Sequence, residues 1–170
     1  MRTRSLQAAL LIVFAAPVFL HARQGDLELT RSALDTLRRC PHYTIFDDVT
    51  ITVADRTATL SGEVTSAAKR TALATEIGRT AGVRHVVNAI EVLPASASDA
   101  ELRQRAAHAI YSQTVFWRYA SMPSPPIHII VRDGRVRLTG WVASDVERAL
   151  AQNSAAGSGA TSVRNELVVK

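Results

Sequence analysis

Val49, Ile51 and Val53 alternate with Thr50 and Thr52, and Ala58, Leu60, Gly62 and Val64 alternate with Thr57, Thr59, Ser61 and Glu63. A period of two is that of strands with one face buried. With Asp55-Arg56 between the two runs, the pattern predicts a tight antiparallel hairpin. The ribbon returns from Ile127 to Val142: Val53 is matched by Val131, Asp55 by Asp133, Leu60 by Leu138, Gly62 by Gly140 and Val64 by Val142, each 78 residues on. A second match sets Gly82 to Val92 over Gly159 to Val169, with Asn88 falling on Asn165, at an offset of 77. Tandem copying of one folding unit accounts for both.

Helical periods flank these ribbons. Leu27, Thr30, Leu34 and Leu37 share one face of a helix that Asp26 can cap and that runs to about Arg39, where Pro41 ends it. Thr65 or Ser66 can cap a second helix carrying Leu73 and Ile77, and Gly82 suits the left-handed position that follows it. Val86, Asn88, Ile90 and Val92 then form one face of a third strand. The fold class is α+β: two tandem α-β-β-α-β domains, each a three-stranded sheet with two helices on one face and the other face open. The second copy has a helix from Asp99 to about Tyr111, a hairpin turning at Asp133-Gly134, a helix opened by the capping box Ser144 to Glu147, and a last strand ending at Lys170. Ala149, Ala151, Ala155 and Ala156 stand where its second helix wants larger side chains, which predicts a looser core. The expected division is a signal peptide over 1–22, domains over 26–93 and 99–170, and a linker over 94–98 of Pro94, Ala and Ser.

Composition changes this picture mainly through charge and export. Hydrophobic residues at 47% and charged residues at 21% fit a folded chain rather than a disordered one. Arg2 and Arg4 precede an apolar run from Ala8 to Leu20, with Ala22 where a peptidase can cut; this reads as a secretory signal, with an uncleaved N-terminal membrane anchor as the alternative. Cys40 is the single cysteine, so no intramolecular disulfide is possible, and a buried or half-buried thiol near a helix end is expected. Residues 25–93 carry 8 basic and 9 acidic side chains, and residues 95–170 carry 9 and 6, so the second unit is the basic one. In an exported chain a basic surface meets anionic lipid headgroups or an acidic protein rather than nucleic acid.

Candidate chemistry is sparse. The histidines His21, His42, His85, His108 and His128 show no ligand spacing, so no metal is expected. No Gly-x-Ser-x-Gly elbow is present. Gly157-Ser158-Gly159 follows a helix, where the dipole presents its negative end and repels phosphate. No catalytic residue and no cofactor are expected. Gly62 and Gly140 are read as places where helices pack closely over a strand, and Asn88 and Asn165 as inward amides that bond backbone.

Two surfaces remain. The outward positions of the first sheet, Thr50, Thr52, Thr57, Thr59, Ser61 and Glu63, are rich in hydroxyls. Those of the second include His128, Ile130, Arg132, Arg135, Arg137, Thr139 and Trp141, with Arg164, Val168 and Lys170 from the last strand. Guanidinium groups fork onto phosphates and indole prefers the water–lipid boundary, so Arg132, Arg135, Arg137 and Trp141 are one candidate interface. The alternative is that they pack against the other unit. The second candidate is the insertion Val115 to Pro126, absent from the first unit, where Phe116, Trp117, Arg118, Tyr119 and Met122 either protrude toward a membrane or partner or fold back over a thin core.

Two α-β-β-α-β units, each with an Asp turn, a strand ending Leu-Ser/Thr-Gly-x-Val, a helix, a Gly and Val-x-Asn-x-Ile/Leu-x-Val, resemble the BON domain in tandem. Arg56 replaces the usual turn glycine in the first unit, and Gly159-Ala160 replaces the usual Gly-Val in the second. The resemblance implies a non-enzymatic periplasmic protein of the envelope that binds anionic phospholipid or membrane surfaces. A stress chaperone or scaffold binding envelope proteins is the alternative. It supplies no catalytic or binding residue to carry over.

Overall fold

The computed structural model describes residues 17–170, with side chains from residue 24 onward. The basic start and the apolar run up to residue 16 lie outside the described residues. Among those described, no helix is long and apolar enough to cross a membrane.

The first helix, α1 (Pro17–Arg39), begins earlier than the cap expected at Asp26 and passes unbroken through Ala22. Ala22, Arg23 and Gln24 favour helix, and Gly25 costs only about 1 kcal/mol inside one. The Asp26 carboxylate works elsewhere. It accepts the N–H groups of Asp55 at 3.1 Å and Arg56 at 3.5 Å, at the tip of the hairpin formed by β1 (Asp48–Ala54) and β2 (Thr57–Val64). Both tip residues have positive φ, 49° and 60°, the type I′ geometry whose twist suits antiparallel strands. Helix α2 (Ala67–Gly78) follows, with the Ser66 hydroxyl accepting the Lys69 N–H as its cap. Strand β3 (His85–Val92) then returns parallel to β2, giving the order β1-β2-β3.

The second unit repeats the plan. Helix α3 (Ala97–Tyr111) starts two residues before the expected Asp99 and is capped by Ser96. Asp99 instead repeats the role of Asp26, accepting the N–H groups of Asp133 and Gly134, both at 2.9 Å, at the turn between β4 (Ile127–Arg132) and β5 (Arg135–Val142). The insertion becomes a short 3-10 turn (Thr114–Phe116) and a one-turn helix, α4 (Trp117–Ala120). After α5 (Asp145–Ala156) the last strand is split into β6 (Ser162–Asn165) and β7 (Val168–Val169), both parallel to β5, with pairing lapsing at Glu166 and Leu167.

Each unit has its own core. The first gathers Leu37, Val49, Ile51, Leu60, Leu73 and Ile77, with Cys40 buried at its margin. The second gathers Leu102, Ile110, Ile127, Ile129, Leu138 and Val142 together with Phe116 and Tyr119. The looseness expected from the alanines of α5 is not found. Ala151 and Ala155 are fully buried, and the insertion's two rings join the same cluster, filling the space that short side chains leave.

The repeated glycines have another reason than the one expected. At Gly62 and Gly140 φ is +118° and +101°, and an added Cβ would lie 2.0 Å from the Asp48 carbonyl oxygen or 1.8 Å from that of Pro126. Neighbouring backbone, not a helix, excludes a side chain there. Asn88 and Asn165 bond backbone as expected, on the helix-facing side of the last strand and at the sheet edge. Their amides donate to the Arg70 carbonyl at 3.1 Å and the Arg148 carbonyl at 2.9 Å, while their oxygens accept the N–H of Ile90 at 3.3 Å and of Leu167 at 3.2 Å. The N–H groups of His85 and Leu93 turn toward β2, so that of Ile90 faces the free edge, and Asn88 closes it.

Candidate functional site

The outer face of the second sheet, expected to be open, meets the first unit. The Ile45 carbonyl accepts the Ile129 N–H at 2.7 Å along the edge of β4. His128 sets its Nδ1 2.7 Å from the Asp47 carbonyl oxygen and its ring 5.2 Å from that of Tyr43. Ile130, one of the outward positions, is only 2% exposed. Burial lowers the pKa of His128, against the opposing pull of the Asp47 carbonyl and the charge of Asp48.

Ion pairs close the rest of this seam. Asp48 stands opposite Glu63 in the β1–β2 register, and Glu63 beside Glu91 in the β2–β3 register, so three carboxylates form one row across the end of the first sheet. Arg132 reaches Glu63 at 2.5 Å and Glu91 at 3.2 Å, and Arg137 reaches Asp48 at 2.8 Å and Glu63 at 2.5 Å. Arg137 also meets Glu166 of its own unit at 3.3 Å. Desolvation works against the Arg137 charge, but the Asp48 and Glu63 carboxylates outweigh it and hold the guanidinium more firmly protonated than usual. Partly exposed pairs of this kind contribute roughly 0–1 kcal/mol each, so the row holds the units together without welding them.

The eight candidate residues are therefore scattered. Arg132 and Arg137 are engaged by the first unit. Arg135, on the same face, is exposed and has no ion-pair partner among the described residues. Trp141 lies half-buried against the rim of the second core, its ring edge-on to Tyr119 at 5.5 Å and the Lys170 ammonium 5.8 Å from its centre. Phe116 is fully buried and Tyr119 is 1% exposed, so neither offers surface for a ligand; the second core needs their volume. Trp117, between them in sequence, is 60% exposed, with Val115 and Val146 also exposed. Trp117 and Arg135 belong to opposite ends of β5: the Tyr119 hydroxyl ties α4 to Ala143, just past the close of the strand, and Arg135 starts it.

A polar knot fixes the Trp117 turn. Glu147 accepts from the Tyr119 hydroxyl at 2.6 Å, from the Ala143 N–H at 3.0 Å and from the Arg118 guanidinium. The capping box predicted here is half formed. The Ser144 hydroxyl accepts the Glu147 N–H at 3.2 Å, but the Glu147 carboxylate bonds the N–H of Ala143, one residue before the cap. Burial alone would raise the Glu147 pKa; the Tyr119 and Ala143 donors and the Arg118 charge outweigh it and hold the carboxyl below its ordinary value. Among the described residues no group of three His, Cys, Asp or Glu side chains is placed to hold a metal ion.

The acidic row was missed in the sequence, although Glu63 was recognised as outward. Its signal is that Asp48, Glu63 and Glu91 all fall on outward positions, and strand register alone shows that they share one end of the sheet. The BON domain family model matches residues 41–94 and 98–170. Among solved structures, two of CdsD, a structural protein of the type III secretion system of Chlamydia trachomatis, are similar. One, of the C-terminal domain, is 14% identical over 85% of this chain and 67% of that one, with a TM-score of 0.34. The other is 12% identical over 84% and 92%, with a TM-score of 0.32. Likeness this slight bears no weight on function. No curated protein matches the chain. Two matched segments in succession, each with its own core and the same turn, cap and edge devices, establish that the chain belongs to the BON domain family as a tandem of two such domains.

Proposed function

We propose that this is a non-enzymatic protein of the bacterial envelope, placed in the periplasm by its N-terminal segment, that binds anionic phospholipid surfaces reversibly through the second domain. Membership of the BON family supports the envelope and non-enzymatic parts of this reading. The observation that carries the binding part is Trp117, 60% exposed between two core residues. Phe116 and Tyr119 anchor the turn on either side, so the indole is held outward instead of collapsing onto the surface. Indole settles at the water–lipid boundary, and Val115 and Val146 extend the apolar tip. Basic residues near an anionic surface add on the order of 1 kcal/mol each; the half-exposed Arg118 beside the tip is the nearest.

Vesicle flotation tests this. The full chain should float with vesicles containing phosphatidylglycerol more than with neutral phosphatidylcholine ones, less at high salt, and Trp117→Ala should reduce recovery severalfold. Equal recovery with both lipids would remove the electrostatic part, and an unaffected Trp117→Ala chain would remove the anchor. The same apolar tip also suits capture of exposed segments of envelope proteins. In that case binding of an unfolded client should survive high salt.

A further inference from the structure

The seam between the domains is more than a packing contact, because of which groups meet in it. Of the four arginines on the outer positions of the second sheet, Arg132, Arg135, Arg137 and Arg164, two are gripped by carboxylates of the first domain and one, Arg164, by Glu166 at 2.6 Å. Arg132 and Arg137 are cross-strand neighbours, Arg137 standing opposite Ile130 and Arg132 opposite Arg135. Their guanidinium groups each hold two carboxylates of the row. A pair of forked donors with carboxylate oxygens at 2.5 to 3.2 Å has the chemistry of a phosphate site. Glu63 is shared by both arginines, one carboxylate oxygen to each.

We propose that the Asp48–Glu63–Glu91 row is an internal stand-in for lipid phosphate: with the domains docked it covers a second anionic-headgroup site at Arg132 and Arg137, which opens when the domains part. This rests on the membrane reading above, and it adds a second contact, regulated by docking, to the Trp117 tip. The seam is built to part. Its ion pairs are partly exposed and salt-weakened, the two buried clusters share no residue although Phe46 of the first domain packs against the second, and the joining segment between β3 and α3 is four residues long. An anionic surface competes directly for the same guanidinium groups, so contact of the seam with a membrane promotes its opening.

The test uses Asp48→Asn/Glu63→Gln, with Glu63→Gln alone as the milder form, and Glu28→Gln/Glu101→Gln as a control that changes net charge equally at exposed helix positions. Small-angle scattering reads opening, and flotation with phosphatidylglycerol vesicles reads binding. The seam variant should expand and bind on the order of tenfold more tightly, from two guanidinium groups freed at the surface. Adding Arg132→Gln and Arg137→Gln should cancel that gain while the expansion remains. An equal gain in the control, an unchanged scattering profile in both seam variants, or expansion without gain would each overturn the proposal. If the wild-type chain floats in a Trp117-dependent manner and the seam variant gains nothing, the latch fails and the membrane reading stands. If neither chain floats, both fail.

Discussion

Glu147 shows how much one carboxylate decides in a small domain. It receives a tyrosine hydroxyl, a backbone N–H and a guanidinium, and thereby fixes the turn that presents Trp117. Because its folded pKa lies below the ordinary carboxylate value, folding favours the charged form. That stabilisation is present above the unfolded pKa of about 4.3 and is lost as pH falls through the lower folded value. Acid titration of Glu147→Gln should therefore show a shallower loss of stability below about pH 4.5 than the wild-type chain. Tyr119→Phe, which leaves one carboxylate lone pair unpaired in the core, should cost about 1–3 kcal/mol in denaturant unfolding. At Gly140 the backbone decides: with φ at +101° and the Pro126 carbonyl in the way, Gly140→Ala should cost on the order of 3 kcal/mol, read as a lowered midpoint for the second domain. The glycine was visible in the sequence as a repeated residue. Its reason was not, because the carbonyl that excludes a side chain belongs to Pro126, at the entry to another strand.

The elements themselves were largely legible, since periods of two and 3.6 residues are local records of which face is buried. The hairpins, the second helix of each unit and the third strand lie where alternation and capping residues predicted them. Two devices escaped because they join distant positions. Asp26 was read as a cap, the commonest local use of an aspartate before an apolar run, and Asp99 as the first residue of a helix, yet both hold a hairpin tip about thirty residues away. Asp99→Ala should speed amide exchange at Asp133 and Gly134 and destabilise the second domain by about 2 kcal/mol. Asp99→Asn should recover part of this. Asn88 was read as an inward amide bonding backbone; it does bond the α2 carbonyl of Arg70, and it also closes an edge N–H two residues on, which parity does not show. A free edge is a template for pairing, so Asn88→Ala should increase concentration-dependent self-association in sedimentation, relative to the wild-type chain.

For the whole molecule, the relation between the domains governs which chemistry is exposed. The Arg132 and Arg137 face was identified as cationic from alternation alone. That it meets the acidic row depends on the register of three strands and the fold of the Tyr43–Asp47 loop. His128 adds a pH dependence. Docking lowers its pKa by burial, so parted domains, in which the ring is solvated, bind a proton more readily. Docking is thus strongest above the ordinary value of about 6.5 and weakens as pH falls through it. Scattering should show expansion between about pH 7.5 and 5.5, and His128→Gln should flatten it.

By itself the sequence determined the copied unit, its strands and helices, the basic character of the second half and the family, because repetition and hydrophobic period are properties of neighbouring residues. Only the tertiary structure decided which side chains are available. Phe116 and Tyr119 are drawn into a core that alanines left thin, Trp117 is left outside by the turn between them, and two arginines meet carboxylates from strands 40 to 90 residues away. Availability depends on what stands opposite a residue in space, and that is fixed by the packing of segments whose separation along the chain carries no record of it.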